Sequence, residues 1–346
     1  MRTRCNDEQT NSGYTTMSDS GVKVLVVGGA GYIGSHAMLE LAQRGFDPIA
    51  LDDLSSGHRW ALPPERLVVG DIADAALLDR LFAEHRFEAV LHFASFIQVG
   101  ESVRKPLAYY RNNVANTVAL LAAMERHGVK RFIFSSTAAV YGTPDVAPIP
   151  EDATLRQENP YGRSKAMVEA ILADCERAWG LESVCLRYFN AAGAHPSAEI
   201  GEAHDPETHL IPLVLRVALG TAECINVFGD DYPTADGTCI RDYIHVCDLV
   251  DAHVLALQRL LAGSGSDVFN LGNGKGYSVL EVIETCRRIT GHPIPAKVAP
   301  RRPGDPAILV ASAEKAQQLL GWRQQFARLE DIVATAWAWH RKQPSA

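Results

Sequence analysis

The feature that most constrains the fold of this 346-residue chain is a glycine-rich stretch between two apolar patterns. Residues 22–27 are mainly β-branched or aliphatic, as in a buried parallel strand, and GGAGYIG follows at 28–34. A helical pattern then runs from Ser35 to Arg44 and ends at Gly45. Strand, glycine turn and helix in this order predict a dinucleotide-binding βα unit.

The three glycines of the motif have separate tasks in such a unit. Gly28 permits the tight turn, Gly31 lets backbone amides approach a pyrophosphate, and Gly34 allows the helix to pack closely on the strand. The positive end of the helix dipole favours the phosphate. Because the spacing is G-x-x-G-x-x-G rather than G-x-G-x-x-G, a glycine-rich loop without a ligand remains an alternative.

The next two strands suggest which dinucleotide is bound. A strand over 48–51 ends at Asp52, about 20 residues beyond the glycines, where a carboxylate accepts hydrogen bonds from the adenosine ribose. The first basic residues after this strand are His58 and Arg59. A protein that binds the 2′-phosphate of NADP would prefer Arg next to the strand end, so the pattern favours NAD over NADP. Asp71, in a third strand over 67–72, is placed either to read the adenine amino group or to cap the following helix, and both roles could coexist.

The rest of the chain alternates strands with helices. Further strands are expected over 89–94, 130–137 and 181–188, with helices over 106–127, from Pro160, and over 328–342. This order predicts an α/β fold with a doubly wound parallel Rossmann sheet. The domain prediction is as follows: a disordered extension over 1–20; an NAD-binding domain over 21–190, with returns near 239–262 and 267–273; and a smaller interleaved substrate domain over most of 191–342.

A Tyr–Lys pair near the middle of the chain is the candidate catalytic group. Tyr161 and Lys165 are four residues apart in the helix that starts at Pro160, so they share a face, and an ammonium group favours the phenolate form of a neighbouring tyrosine. The strand before this helix ends in Ser135-Ser136-Thr137, whose hydroxyls are either turn formers or substrate contacts. On the pattern alone, a surface Tyr–Lys pair remains the alternative.

Charge and cysteine usage exclude several classes of partner. The net charge of −8 and the pI near 5.8 argue against a nucleic acid or an anionic membrane as partner, and no apolar run approaches transmembrane length. Residues 1–20 lack the apolar segment of a secretory signal. The seven scattered cysteines show no metal-binding spacing, so we expect no metal site and a reducing, cytoplasmic environment.

Longer motifs identify a family resemblance that extends from about residue 23 to residue 339. These motifs are GGAGYIGSH at 28–36, VGESV at 99–103, FSSTAAVYG at 134–142, NPYGRSK at 159–165, RYFNAAGAHP at 187–196, and DYPTADGT at 231–238 followed by IRDYIHV at 240–246. With them the chain resembles the extended short-chain dehydrogenase/reductase family, and most closely its members that interconvert UDP-glucose and UDP-galactose at C4 with NAD.

The resemblance implies a role for each matching residue. It places the NAD contacts at Gly28, Gly31, Tyr32, Ile33, Gly34, Asp52, Asp71, Ile72, Phe93, Ala94, Asn112, Tyr161, Lys165 and Phe189. It places the UDP-sugar contacts at Thr137, Tyr161, Asn190, Leu210, Phe228, Arg241, Arg302 and Asp305. It also implies a homodimer formed by helices near 106–127 and 160–179, although apolar residues such as Ile171 could instead pack on the sheet.

Four positions depart from the pattern of the family. Thr137 stands where many relatives have Ser, and Ile97 replaces a Lys found near the cofactor in some members. His209 stands where some relatives have Asn near the nucleotide. Leu309 occupies a position that varies between Tyr and Cys in the wall beside the sugar 2-position, so N-acetylated substrates remain an open alternative.

The chemistry implied is reversible oxidation at C4 through a 4-keto sugar, with Tyr161, Lys165 and Thr137 as catalytic residues. Lowering the pKa of a tyrosine from about 10 to 7 takes roughly 4 kcal/mol. A lysine about 6 Å away supplies roughly 3 kcal/mol at an effective dielectric of 20, so we expect the positive charge of NAD⁺ to contribute the remainder.

Rival functions remain from within and outside this class. Other UDP-sugars, namely N-acetylhexosamines, uronic acids and pentoses, stay possible substrates of a C4 epimerase. A 4,6-dehydratase typically needs Asp-Glu after the strand-end Thr, where this chain has Ala138 and Ala139. A non-enzymatic NAD-binding regulator would be expected to lack the Tyr–Lys pair.

Overall fold

The computed structural model describes residues 21–302 and 305–343, so the extension expected over residues 1–20 lies outside the described residues. The strands of this part are β1 (Lys23–Val27), β2 (Asp47–Asp52), β3 (Leu67–Val69), β4 (Ala89–His92), β5 (Arg131–Ser135), β6 (Glu182–Tyr188), β7 (Asn190–Ala192), β8 (Ile225–Phe228), β9 (Ile240–Arg241), β10 (Tyr243–His245), β11 (Asp267–Leu271), β12 (Tyr277–Ser278), β13 (Ala296–Ala299) and β14 (Ile308–Leu309).

The α-helices lie mostly between these strands. They are α1 (Tyr32–Gln43), α2 (Ala75–His85), α3 (Val99–Arg104), α4 (Pro106–Tyr110), α5 (Asn116–His127), α6 (Pro160–Trp179), α7 (Leu210–Ala218), α8 (Val246–Leu261), α9 (Val279–Thr290), α10 (Glu314–Leu319) and α11 (Leu329–His340). Over the ranges 21–302 and 305–343, none of them combines the length and apolar character needed to cross a bilayer.

Seven of the strands form one parallel sheet in the order β11-β6-β5-β4-β1-β2-β3. The predicted doubly wound parallel sheet is therefore confirmed. Chain order reverses direction between β1 and β4, where Val27 lies opposite His92. In open parallel sheets this switch point, at the carboxyl ends of the strands, is where ligands bind.

Helices cover both faces of the sheet, as the side chains of β1 show, because they alternate between two apolar cores. Val24 and Val26 are buried in the core shared with α1, α8 and Trp322, whereas Leu25 and Val27 are buried in the core shared with α2, α5 and α6. A strand with apolar side chains on both faces is stable only between two helical layers. A third apolar core joins α7, α9 and α11 beside the carboxyl edge of the sheet.

Residues beyond Asn190 return to the sheet in two ways. Residues 267–271 form its edge strand β11, while the stretch 239–262 reaches it through helix α8, which packs against α1, β5 and β6. Within the same stretch, β9 and β10 pair with short strands of the smaller region.

The single helix expected over 106–127 is interrupted. Residues Arg111–Ala115 form a π-helical turn between α4 and α5. Asn113 in this turn is buried; its Oδ1 accepts from the amide of Phe96 (2.9 Å), and its Nδ2 donates to Ser164 Oγ (3.0 Å). These long-range contacts connect the loop after β4 to α6, and π-turns of this kind recur at functional sites.

Candidate active site

Three segments that carry predicted NAD contacts meet at the carboxyl edge of the sheet because the strands before them are neighbours. The amide of Gly28 donates to the carbonyl of Leu51 (2.8 Å), and the amide of Phe93 donates to that of Val27 (2.8 Å). The glycine turn, the end of β2 and the loop after β4 therefore form one continuous rim.

The glycine turn is too tight for side chains at two of its three motif positions. Gly28 has a φ of +79°, and a Cβ there would lie 2.6 Å from the amide nitrogen of Ala94. A Cβ on Gly34 would lie 2.0 Å from the carbonyl oxygen of Gly28. Gly31 differs, because its nearest neighbour would be 3.4 Å away. The polypeptide thus requires Gly28 and Gly34, whereas at position 31 it would tolerate a Cβ in ordinary contact, so packing alone does not account for a glycine there.

Asp52 ends β2 beside this turn. Its carboxylate is buried and accepts from the amides of Ala30 (2.9 Å) and Leu54 (2.8 Å). Burial raises the pKa of Asp52, and the two amide hydrogen bonds oppose that rise. Asp71 is exposed and accepts from the amide of Ala73, whereas the side chain that caps α2 is Asp74. The helix-capping role considered for Asp71 is therefore filled by Asp74.

The side chain of Tyr161 sits at the start of α6, held by a well-formed helix N-terminus. Asn159 caps the helix by accepting from the amide of Gly162 (2.9 Å), and Pro160 occupies the first helical position. Thr137, two residues beyond the end of β5, is buried, and its hydroxyl lies close enough to the Tyr161 phenol to lower the pKa of that group. Two of the three predicted catalytic residues are thus in contact.

Lys165 completes the group one turn further along α6. It is buried, and its Nζ donates to the carbonyl oxygen of Ser135 (2.8 Å). Burial lowers the pKa of Lys165 to about 7, and the charge of Glu169 opposes this fall. Burial raises the pKa of Tyr161, and the nearby Thr137 hydroxyl opposes this rise. Desolvation is thus the largest influence on the pKa of Tyr161 in the polypeptide by itself, and the expected effect of Lys165 on this pKa stays a prediction.

A buried ionic network supports this helix and was not anticipated from the sequence. Glu169 and Arg187 form a salt bridge of 2.5 Å between side chains 9% and 6% exposed. Ser136 Oγ also donates to Glu169 (2.5 Å), and Arg187 donates to Tyr141 Oη (2.8 Å). The one sequence feature that could have indicated this network is the position of Glu169, which is four residues after Lys165 and therefore on the same helix face.

The residues expected to hold the nucleotide of the substrate form two contacting pairs. The guanidinium of Arg302 lies 4.2 Å from the centre of the Phe228 ring, and Arg241 forms an ion pair with Asp305. A guanidinium over an aromatic ring is a cation–π contact. Neither pairing could be predicted from the sequence, because each joins chain segments more than sixty residues apart.

Two further predicted contacts, and the variable position 309, lie nearby. Asn190 donates to the carbonyl of Asp242 (2.9 Å), and Leu210 is the first residue of α7. Leu309 is opposite Arg241 in the β9–β14 pair and packs, together with Phe189, against the apolar cluster that contains Ala138. The wall predicted at Leu309 therefore adjoins the residue that follows Thr137.

Several predicted NAD contacts have side chains that are already engaged by other parts of the polypeptide. Tyr32 donates to the carbonyl of Gly193 (2.6 Å), and Ile72 is buried in the core. Asn112 donates to Asn113 (3.0 Å), which makes the long-range contacts itself. Three more predicted contacts pack their side chains against the cores, namely Ile33, Phe93 and Ala94. Residues whose side chains pack in the cores can contact a ligand at the rim only through their backbone groups.

Taken together, the glycine cradle, the buried Asp52 and the Tyr161–Lys165 pair fit a nicotinamide dinucleotide and define a Rossmann-type, NAD-dependent enzyme. Comparison with known proteins agrees. Residues 24–272 match the family model described as "NAD dependent epimerase/dehydratase family", and the chain belongs to this family.

Individual relatives narrow the class further. The chain is 55% identical over 321 residues to a UDP-glucose 4-epimerase of Halalkalibacterium halodurans, covering 93% of this chain and 96% of the relative. It is 47% identical to the structure of UDP-glucose 4-epimerase from Brucella ovis in complex with NAD (TM-score 0.89; 91% and 97% covered). It is 43% identical to the Bifidobacterium longum enzyme in complex with NAD⁺ and UDP (TM-score 0.87; 93% and 99% covered). The expected family, epimerase activity and NAD cofactor are confirmed.

Proposed function

We propose that this chain interconverts UDP-glucose and UDP-galactose by inverting C4 of the sugar through a transient 4-keto intermediate. The observation that carries the proposal is that three groups meet just beyond β5: Thr137 lies beside the Tyr161 phenol, and the buried Lys165, one helical turn further along α6, donates to the carbonyl of Ser135. Relatives that share about half of the sequence bear the name of this activity.

The residues proposed to hold NAD are those of the carboxyl rim. Gly28, Gly31 and Gly34 form the cradle for its pyrophosphate, Asp52 accepts from the adenosine ribose, and Lys165 donates to the nicotinamide ribose. The remaining contacts implied by the family, including Asp71 and Phe189, are part of the same proposal. When bound, NAD⁺ supplies a hydride acceptor and a positive charge.

Tyr161 is the proposed base and acid of the reaction. Its phenolate takes the proton of the sugar 4-hydroxyl during oxidation, and its phenol returns that proton to O4 during reduction. Thr137 orients O4 through its hydroxyl. The charge of Lys165 favours the phenolate, so Tyr161 acts as a base only when that charge and the cofactor charge together overcome the burial that raises its pKa.

The 4-keto sugar has to turn over between the two half-reactions while its UDP stays anchored. Arg241 and Arg302 are the proposed ligands of the pyrophosphate, since guanidinium groups bind phosphate through paired, charge-assisted hydrogen bonds. Phe228, whose ring lies beneath the Arg302 guanidinium, is the proposed contact for the uracil. Asn190, Leu210 and Asp305 complete the proposed substrate contacts.

The residues after Thr137 argue against dehydration. Ala138 and Ala139 form a short 3₁₀ turn there, and Ala138 is fully buried. Elimination across C5–C6 needs an acid and a base at these positions, and methyl groups supply neither. The presence of Tyr161, Lys165 and Thr137 together argues against a regulator without catalytic activity, which would be expected to lack the Tyr–Lys pair.

Proton NMR of the purified protein with UDP-galactose, without added NAD, tests the proposal. Appearance of UDP-glucose supports it. A 4-keto-6-deoxy sugar would instead favour a dehydratase, and no change even with added NAD would favour another UDP-sugar or a regulator. UDP-N-acetylgalactosamine, used as a second substrate, measures what the wall at Leu309 admits.

We also propose how the chain is organised around this reaction. Residues 21–190, with returns near 239–262 and 267–273, hold NAD, and most of 191–342 holds the UDP-sugar. The packing of α8 and β11 on the sheet supports the two returns. The six cysteines within the described ranges are free, which supports a reducing, cytoplasmic location.

A homodimer is the proposed assembly. Apolar side chains are exposed along one group of helices: Val103 in α3, Leu107 in α4, Val118 in α5 and Met167 in α6. Ile171, by contrast, packs on the core of the sheet. Exposed apolar patches of this kind indicate a protein interface. Light scattering should give a dimer for the wild-type chain and a monomer for Leu107→Glu, whereas a monomeric wild type would refute this assembly.

A further inference from the structure

A second cluster of polar side chains lies in the loop before α7, apart from the catalytic tyrosine. Glu202, His204, Glu207 and His209 each direct one ligand-type atom to a common point, and the four atoms lie within 4.8 Å of one another. The side chains of Glu202 and Glu207 are only 3% and 2% exposed. The spacing is E-x-H-x-x-E-x-H, so one short segment supplies all four groups.

The distances between these atoms suit tetrahedral coordination. His209 Nδ1 lies 2.8 Å from Glu202 Oε1 and 2.9 Å from Glu207 Oε1. His204 Nδ1 lies 3.0 Å from Glu202 Oε1 and 4.0 Å from Glu207 Oε2. Ligands that sit 2.0–2.1 Å from a tetrahedral zinc ion are separated from each other by roughly 3.3 Å. The observed separations, which involve both carboxylate oxygens of Glu207, range from 2.8 to 4.0 Å and so lie on both sides of this value.

The charge and chemistry of the cluster favour a divalent transition metal such as zinc over Mg²⁺ and Ca²⁺. Two buried carboxylates bring two negative charges into one place, which a divalent cation compensates in full. Two imidazole nitrogens with two carboxylate oxygens are zinc ligands, whereas Mg²⁺ and Ca²⁺ prefer oxygen ligands alone. We propose that Glu202, His204, Glu207 and His209 bind one Zn²⁺ ion.

The contacts of the loop indicate what the ion does. The loop accepts a hydrogen bond at the Glu202 carbonyl from Trp339 of α11 (2.9 Å) and contacts His58 Nε2 through the Ala203 carbonyl (2.8 Å). The His204 ring meets the Tyr32 ring edge to face, at the start of α1. His209 directly precedes α7. With four protein ligands the site is closed, so the ion is structural and fixes the loop between the glycine turn and the substrate region.

This site changes two expectations from the sequence. The spacing of the cysteines predicted no metal site, but the proposed ligand set contains no cysteine. His209 was noted as a replacement for an Asn near the nucleotide; in the structure its ring nitrogen instead faces Glu202 and Glu207.

Metal analysis of the purified holoenzyme, prepared without a polyhistidine tag, is the direct test. We expect about one zinc per chain, as in a closed four-ligand site. After removal of the metal with a chelator, titration with Co²⁺ should give the visible absorption of tetrahedral cobalt, and added zinc should abolish that absorption. Chelation should also lower the melting temperature, with recovery on adding zinc.

Three variants separate a metal site from an ion-pair network. His204→Ala and Glu207→Gln should weaken zinc binding by more than about 100-fold, since even partners of metal ligands contribute roughly 10- to 100-fold. The exposed His292→Ala is the matched control and should bind zinc like the wild type. The wild-type cobalt titration decides the matter even if a variant fails to fold. Absence of both bound zinc and the cobalt spectrum, with melting unaffected by chelator, would show that the cluster is a hydrogen-bonded network only.

Discussion

Two alanine substitutions in the glycine turn should separate its structural task from its binding task. In Gly34→Ala the new Cβ would lie 2.0 Å from the carbonyl oxygen of Gly28 and 2.8 Å from Gly29 Cα. Both neighbours are backbone atoms, so the helix has to move by more than about 1 Å in a closely packed region. Overpacking of this size costs roughly 3 kcal/mol or more, and we expect Gly34→Ala to lose stability and NAD together.

Gly31→Ala is the matched variant. Gly31 has a φ of −78°, which any residue adopts, and its Cβ would make only an ordinary contact of 3.4 Å. Its melting temperature, measured after removal of NAD, should equal that of the wild type, while NAD affinity should fall at least tenfold, or about 1.4 kcal/mol. NAD content and titration by fluorescence provide the assay. Wild-type affinity in Gly31→Ala would refute the proposed place of the pyrophosphate, and full stability in Gly34→Ala would refute the packing argument.

Further predictions concern the substrate wall, the buried network and acid stability. Leu309→Cys should raise kcat/KM for UDP-N-acetylgalactosamine relative to UDP-galactose by roughly 10-fold or more, and Leu309→Tyr should lower this ratio; equal ratios in both variants would remove Leu309 from the wall. Glu169→Gln should lower the free energy of unfolding by about 3–5 kcal/mol by leaving the Arg187 charge buried and unpaired, and the double variant with Arg187→Met should recover part of that loss in urea denaturation. The free energy of unfolding should fall as the pH drops from about 6.5 to 4, because unfolded histidines bind protons there while four buried ones resist protonation. Burial lowers the pKa values of these four, His36 and His253 to about 4 and His92 and His245 to about 3, and raises those of two opposing aspartates, Asp242 and Asp248, to about 6. In thermal unfolding, His92→Gln should make this dependence shallower by up to about 1.4 kcal/mol per pH unit, and an unchanged slope would exclude His92 as a contributor.

Features determined by neighbours in the sequence were predicted well. The glycine turn follows from the backbone freedom of Gly28, and the start of α6 follows from Asn159 and Pro160, so both were located from local pattern alone. The order of strands and helices likewise predicted the parallel sheet, because crossover connections leave few arrangements open.

Features determined by distant segments were not predicted. The π-turn at Asn113 depends on the backbone of Phe96 and on Ser164, so a helical pattern over 106–127 gave no sign of it. The Glu169–Arg187 network joins a helix to a strand, and the pairing of Arg241 with Asp305 joins segments far apart in the chain. The raised pKa of Tyr161 depends on burial, and burial cannot be predicted from the four-residue spacing between Tyr161 and Lys165.

The central claim is that Tyr161 carries the proton in C4 inversion, and Tyr161→Phe tests it most directly. The variant removes only the phenolic hydroxyl, so its melting temperature and its bound NAD should stay close to those of the wild type. Conversion of UDP-galactose to UDP-glucose, followed by proton NMR without added NAD, should slow at least about 100-fold, the usual contribution of a general base. Conversion at nearly the wild-type rate by a folded, NAD-containing Tyr161→Phe protein would contradict the account.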